Sequence, residues 1–247
     1  MGCVSVVGIV ASTLAGAGAE IQYGCAFLGG HAPHWPWYGI AIAVVRNIDG
    51  VNAINEEETK MRLKLPSPGE MNADQKQTYD EAIAGKRGAA PAPMLAWLSS
   101  PEMARHATRL GEMLRFNTIF PPKLSEIAIL VTARHYGAHY EWWAHKRLAL
   151  KAGLDEKIID AIRDRRTPRF DDPRSQMIYD VAKSLHEGHG LAKALYADAV
   201  ESLSERGLVE IIGLCGYYTL VSMTLNTFEF LLSDGEVFEL ASATAAA

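Results

Sequence analysis

The chain has 247 residues, of which 49% are hydrophobic and 21% are charged, and these ordinary globular values allow one large or two small domains. The formal net charge is -5, and the only basic stretch is the short segment 163–169, so nucleic acid is disfavoured as a partner. The scattered cysteines Cys3, Cys25 and Cys215 form no CxxC pair and no zinc-ligand spacing, which disfavours dithiol chemistry and a structural zinc site.

Residues 1–60 differ in character from the rest of the chain. Residues 1–19 are apolar and end in Ala-Gly-Ala, which resembles a signal-peptide cleavage site, but they lack a basic start. Prolines in 31–37 exclude a long helix there, and the apolar run 38–45 is too short to cross a bilayer. We expect an accessory or upstream segment that is poorly ordered and dispensable, a functional domain from Met61 onward, and a cytoplasmic protein without a membrane partner.

From Met61 to the end, 61–247, the pattern predicts an all-α domain. A cap at Asn72 or Asp74 predicts a first helix to about Ala84, and Pro101 opens another after a turn at Met94–Leu98. The later helices are predicted to open at Ser125–Glu126 and then to span 138–152, 155–164, 175–187, 191–204 and 208–232, with a bend at Gly137. The last helix is apolar nearly all round, which is typical of a core or an oligomer interface.

The run from His135 to His145 concentrates groups that can do chemistry. It holds three histidines, one glutamate and four large aromatic residues. Glu141 and His145 are i,i+4 neighbours on one helical face, and so are His135 and His139 if the helix is unbroken. A carboxylate beside an imidazole orients the ring and raises its basicity, as an acid/base catalyst requires. A solvated helical ion pair has the same spacing, so the spacing alone leaves both interpretations open.

Three further segments are informative when they are taken together: Leu124–Arg134, Tyr140–His145 with Ala152–Leu154 after it, and Gly213–Ser222 followed by Leu225 and Asn226. In combination they resemble the carboxymuconolactone decarboxylase family, in the superfamily that includes the alkylhydroperoxidase-D-like proteins. The resemblance covers residues 61–235 in the same order and spacing. It implies an all-α, alkylhydroperoxidase-D-like helical bundle that assembles as a homo-oligomer, a trimer or a hexamer.

The resemblance also separates two activities within the superfamily. The peroxidase branch carries a Glu, Cys, Cys, His frame, which reads Glu126, Ala138, Glu141 and His145 in this chain. Both cysteines are replaced, and a peroxidase needs one thiolate to attack and a second thiol to resolve. Peroxidase activity is therefore excluded unless Cys215 substitutes. The decarboxylase branch carries Glu-x-x-x-His at this point, which Glu141 and His145 match.

The resemblance therefore implies a cofactor-free carboxy-lyase acting on a small aromatic-derived acid or lactone. His145 is the expected proton donor and Glu141 its orienting partner, while Glu126 either joins this site or stabilises a helix N-terminus. Arg134 either anchors a substrate carboxylate or forms a surface ion pair. The full set of candidate substrate-binding residues is Arg134, His135, His139, Trp142 and Tyr218.

Two other functions stay open at this point. His135 and His139, with His145 or Glu141, have ligand types that suit zinc or iron, which would fit a metal- or oxygen-dependent enzyme acting on aromatic compounds. Gly137 weakens this alternative because it interrupts the helix that the spacing requires. The second alternative is a non-catalytic helical oligomer.

Overall fold

Helices provide the regular structure of residues 61–232 and 236–240, the part of the chain that the computed structural model describes. Within that part there are eight helices and no strand, so the all-α prediction is confirmed. The expectations for residues 1–60 lie outside the described residues. The helices are α1 (Ala73–Ala84), α2 (Ala92–Trp97), α3 (Pro101–Phe116), α4 (Pro122–His135), α5 (His139–Lys151), α6 (Glu156–Arg163), α7 (Pro173–Gly188) and α8 (Lys193–Thr227).

Caps and prolines set most of the helix starts. Asn72 accepts from the backbone N–H of Gln75, whose side chain accepts from the Asn72 N–H in return, so α1 begins with a capping box. The predicted start of α4 at Ser125 was three residues late. Pro122 is the first residue of α4, because proline supplies the helical φ and has no N–H to leave unpaired at that position. Glu126 therefore lies inside the helix rather than at its N-terminus.

Helix α4 is the centre of the bundle. Every residue from Leu124 to Ala133 is buried, and α4 packs against α5, α7 and α8. A helix that is apolar on nearly all sides reaches a stable state only when other helices cover each side. The glutamate that α4 carries, Glu126, is thus held in the protein interior.

Helix α8 consists of two segments that meet at Ser204. This residue has φ 68° and ψ 165°, and its hydroxyl accepts from the N–H of Gly207 as a new cap. The predicted boundary between two helices at Ser204 is confirmed, although the second segment ends at Thr227 instead of Leu232. Among the described residues α8 alone is long and apolar enough to cross a membrane, with a mean hydropathy of 1.5. More than half of that apolar stretch, 56%, is buried against the other helices, as in a core helix.

Candidate functional site

The most concentrated polar cluster in the interior is His145 with one carboxylate on each side. The imidazole Nδ1 lies 2.6 Å from Glu126 Oε2, and Nε2 lies 2.8 Å from Glu141 Oε1. All three residues are only 4% exposed. The predicted pair of Glu141 and His145 is present, and Glu126 joins it in direct contact. We call these three residues the carboxylate–histidine cluster.

Two helices and one turn build this cluster. Glu126 comes from the second turn of α4, and α5 presents Glu141 and His145 one helical turn apart. Between the helices, Gly137 has φ +58°, a left-handed conformation that glycine adopts without strain and that ends α4. The side of α5 that carries His145 thereby packs on α4 at the level of Glu126.

The two carboxylates determine the protonation of His145. Burial by itself lowers the pKa of an imidazole, but the negative charges of Glu126 and Glu141 and their hydrogen bonds outweigh burial and raise the pKa of His145 to about 9. At neutral pH the ring is therefore an imidazolium that donates from both nitrogens. It holds a proton in a site from which bulk water is largely excluded.

Arg115 on α3 and Tyr218 on α8 complete the surroundings of the cluster. Arg115 Nη2 lies 3.7 Å from Glu126 Oε1, and the Tyr218 ring meets the His145 ring edge-on, with centroids 4.9 Å apart. The Arg115 guanidinium is also in polar contact with the Tyr218 hydroxyl. Burial raises the pKa of Tyr218, so its hydroxyl keeps its proton and remains a donor. Tyr218 was a predicted site residue, whereas Arg115 was not predicted.

The predicted residues Arg134 and His135 lie elsewhere. Arg134 Nε donates to the backbone carbonyl of Arg163, and the His135 ring stacks on that of His186 with centroids 4.9 Å apart. Both line a pocket at the C-terminal end of α4, which does not include the carboxylate–histidine cluster. The expectation that they share a site with His145 is corrected, because the turn at Gly137 ends the helix on which the spacing argument depended.

The remaining predicted residues of α5 pack toward the C-terminal segment 236–240. The rings of His139 and Phe238 are in contact, with centroids 4.5 Å apart, and the buried Trp142 donates its Nε1–H to Glu239. His135, His139 and His145 thus have three separate environments and do not form the metal site that was considered. Within residues 61–232 and 236–240, no three or more His, Cys, Asp or Glu side chains are grouped in a way that could hold a metal ion.

Cys215 is the one cysteine in the described part of the chain, and its surroundings are those of an inert thiol. It is 3% exposed on α8, and burial raises the pKa of the thiol to about 12. A thiol with this pKa is almost entirely protonated at neutral pH and is a poor nucleophile. The frame positions that hold cysteines in the peroxidase branch are occupied by Ala138 and Glu141, and Glu141 contacts His145 directly.

Solved structures with the same helical arrangement come from the alkylhydroperoxidase-D-like fold. The alkylhydroperoxidase AhpD core of an uncharacterized peroxidase-related protein from Ralstonia eutropha JMP134 is 17% identical, with a TM-score of 0.59 over 70% of this chain and 93% of that one. An uncharacterized peroxidase-related protein from Silicibacter sp. TM1040 is 15% identical, with a TM-score of 0.58 over 76% and 98% of the two chains.

A third structural neighbour is an enzyme by name. The debrominase Bmp8, as a Cys-to-Ala variant in complex with 2,3,4-tribromopyrrole, is 14% identical, with a TM-score of 0.54 over 73% of this chain and 93% of that one. No protein family and no curated protein matches the sequence. These similarities establish that the fold is alkylhydroperoxidase-D-like, and the narrower resemblance to the carboxymuconolactone decarboxylases stays a prediction.

Proposed function

We propose that this chain is an acid/base enzyme, a carboxy-lyase of the carboxymuconolactone decarboxylase type that uses no cofactor. The observation that carries the proposal is the buried carboxylate–histidine cluster, in which two carboxylates hold one imidazolium. Buried ionic triads add little to stability, because apolar side chains of similar volume do as well or better. A buried group with a strongly raised pKa is, by contrast, a common property of catalytic sites.

The proposed reaction needs a proton donor and a site for a developing negative charge. The bond to the departing carboxylate breaks, CO2 leaves, and the electron pair passes into the conjugated carbonyl of the substrate to give a dienolate. A proton from the enzyme then adds to carbon, and water restores the proton to the enzyme. Arg115, which lies beside Glu126, and the Tyr218 hydroxyl, which is in polar contact with Arg115, are the donors assigned to stabilise the dienolate oxygen in this mechanism.

The hydrogen bonds of the imidazole suggest the direction of proton transfer. Nδ1 is held by Glu126, which Arg115 approaches from its other oxygen, so this side of the ring is anchored. Nε2 faces Glu141, so the proton on Nε2 reaches a substrate through the Glu141 carboxylate. The proposed mechanism revises the roles expected from the sequence, in which His145 was the donor and Glu141 its orienting partner. Here Glu126 orients the ring, His145 stores the proton, and Glu141 accepts it from Nε2 and passes it to carbon.

The substrate class that we propose is a small aromatic-derived acid or lactone. The polar donors around the cluster are few, and Tyr218 contributes an aromatic wall beside them. The debrominase of the same fold, crystallised with tribromopyrrole, supports a small ring as the size of ligand. Within the described residues, thiol peroxidase chemistry has no support, because the thiol of Cys215 is buried and protonated.

We also propose that the protein is a homo-oligomer, a trimer or a hexamer, with a second copy covering two apolar faces. On α3, Met103, Leu110, Met113 and Phe116 are 38–46% exposed and recur at helical spacing, and on α8 Val209, Ile212 and Met223 are 46–68% exposed. Sedimentation should give a multimer at micromolar concentration. The variant Met113→Glu/Ile212→Glu should shift it to monomer, whereas Leu150→Glu on α5 should not. A wild-type monomer would contradict this proposal.

The function is tested by turnover of a panel of carboxymuconolactones and related small aromatic acids, with CO2 release as the readout. Wild type and the exposed-histidine control His106→Gln should release CO2 from at least one compound, and His145→Gln should not do so measurably above background. A panel on which His145→Gln equals wild type would refute the acid/base assignment. Peroxide reduction by wild type that depends on Cys215 would refute the exclusion of thiol chemistry.

A further inference from the structure

The described residues enclose a second feature that the proposed reaction does not use, a pocket at the C-terminal end of α4. Its volume is about 90 Å³, which suits a group of a few heavy atoms rather than a whole aromatic acid. It lies among α4, α6 and α7, on the side of α4 that carries His135. The pocket, called here the basic pocket, is lined by Val131, Arg134, His135, Ile162, Arg165, Tyr179, Lys183, His186 and Glu187.

The charges of the side chains that line the basic pocket do not sum to zero. Lys183 pairs with Glu187 at 2.9 Å, which leaves Arg134 and Arg165. Arg134 uses only its Nε on the carbonyl of Arg163, and neither arginine has a carboxylate partner within 4 Å in the part of the chain that the structure describes. The pocket therefore carries a formal charge of about +2 from two guanidinium groups whose terminal N–H donors have no protein acceptor there.

Burial lowers the pKa of both histidines of the basic pocket, and at His135 the charge of Arg165 adds to this effect. At His186, burial and the neighbouring His135 lower the pKa to about 4. Thr132 donates its hydroxyl to the Ala128 carbonyl, so its oxygen accepts from His186 Nε2 at 2.8 Å and fixes that tautomer. Both rings are neutral at pH 7 and stack without repulsion, with an interplanar angle of 22°.

We propose that the basic pocket binds a small oxyanion, the carboxylate or phosphate group of a ligand, through Arg134 and Arg165. A planar or tetrahedral oxyanion matches the forked donors of guanidinium groups, which bind such groups with two parallel hydrogen bonds. Lys183 lies at the same pocket as a third cation. Val131, Ile162 and Tyr179 supply apolar walls that lower the local dielectric constant and strengthen these contacts.

This assignment also explains the basic stretch at residues 163–169. Arg163 and Arg166 are both engaged by Asp164, so they contribute little to a ligand. Arg165, with φ +55°, lines the pocket and forms no ion pair with another described residue. The binding site is separate from the carboxylate–histidine cluster, and its existence does not depend on the reaction proposed there.

The test is a titration followed by the side-chain NMR signals of histidine at constant pH 7 and constant ionic strength. The probes are inorganic phosphate and acetate, each raised to about 50 mM, well above a millimolar Kd. Wild type should show saturable shifts of the His135 and His186 signals with at least one probe. The tighter probe identifies the source of the oxyanion, phosphate or carboxylate.

Three variants make the titration decisive. Arg165→Gln/Lys183→Gln should weaken binding by roughly tenfold or more, because it removes charge-assisted hydrogen bonds. The control Lys151→Gln/Arg169→Gln removes the same charge outside the pocket and should stay within about twofold. His145→Gln should bind as wild type does. Shifts that do not saturate, that weaken equally in both double variants, or that vanish in His145→Gln would overturn the proposal.

Discussion

The carboxylate–histidine cluster and the basic pocket each hold a histidine, but in opposite protonation states. Both are built on α4, and each contains a histidine, which is buried at the cluster and half-buried at the pocket. At the cluster, two carboxylates outweigh burial and raise the pKa of His145 to about 9, whereas at the pocket, burial and the neighbouring His135 lower the pKa of His186 to about 4. At pH 7 one ring is charged and the other is neutral. Burial by itself favours the neutral ring, as at His186, and a histidine in the interior is charged where adjacent carboxylates outweigh burial, as at His145.

The largest expected effect that separates the two regions is on catalysis. His145→Gln keeps a donor amide but loses the titratable proton, so turnover should fall by roughly 10²–10⁴, the usual contribution of an acid/base group. Glu141→Gln should cost about as much if Glu141 relays the proton. His186→Gln, which changes the other region, should retain near wild-type turnover. The measurement is steady-state CO2 release, and a Glu141→Gln variant with wild-type kcat would remove Glu141 from the proton path.

The second effect is on stability. Glu126→Ala leaves a buried imidazolium with one partner, and breaking a buried ion pair costs about 3–5 kcal/mol of the free energy of unfolding. The exposed glutamate on α8 in Glu201→Ala is the control and should cost well under about 1 kcal/mol. Urea unfolding followed by circular dichroism gives both values. A cost for Glu126→Ala as small as the control would mean that the cluster is solvated.

The third effect is a pH dependence of stability that comes from His145. Its folded pKa lies above the value of about 6.5 for an unfolded histidine, so the stabilisation is fully present below pH 6.5 and is lost as the pH rises through about 9. The loss should be on the order of 3 kcal/mol. Urea midpoints of wild type should fall between pH 6.5 and 9.5, and those of His145→Gln should change far less. Equal changes would contradict the raised pKa.

In the acid range, the basic pocket should give a pH dependence of stability with the opposite sign. Because the folded pKa of His186 lies below its unfolded value, the unfolded state takes up the proton first, and stability falls as the pH drops from about 6.5 toward 4. His186→Gln removes this contribution and should lose less stability between pH 6.5 and 4.5 than wild type does. The exposed His189→Gln should behave as wild type.

The smallest expected change is at Cys215, whose thiol should hardly react with a thiol reagent in the folded protein. In a Cys3→Ser/Cys25→Ser background, a thiol reagent at pH 8 should label folded protein very slowly, because the thiol is buried and its pKa is about 12. Addition of urea should make labelling fast. Rapid labelling of the folded protein would reopen the question of thiol chemistry.

The sequence predicted those features that depend on local spacing. The i,i+4 relation of Glu141 and His145, the cap at Asn72 and the break at Ser204 are properties of neighbouring residues, and the structure contains each of them. The contact of Glu126 with His145 was left open, because it depends on how α4 packs on α5. Only the outer Glu and His of the family frame indicated it.

Contacts between distant helices were beyond what the sequence could predict. Arg115 sits in an amphipathic helix between Leu114 and Phe116, where an arginine ordinarily faces solvent, and no spacing relates it to residues 126 or 218. The prediction that the histidines of the run from His135 to His145 share one site was wrong, because it assumed that residues close together along the chain are also close in space. One glycine with a positive φ, Gly137, was enough to put His135 and His145 in different sites.

The turn at Gly137 also has a consequence for how the chain folds. It joins α4 and α5 through a connection of three residues, so Glu126 and His145 meet across a sequence separation of only 19 residues. Closing so short a loop costs about 2 kcal/mol less in conformational entropy than bringing Trp97 on α2 to Thr224 on α8, which are 127 residues apart and joined by a hydrogen bond of 2.8 Å. We therefore expect the helical hairpin that carries the reactive groups to form early, with α8 closing over a site whose two halves have already met.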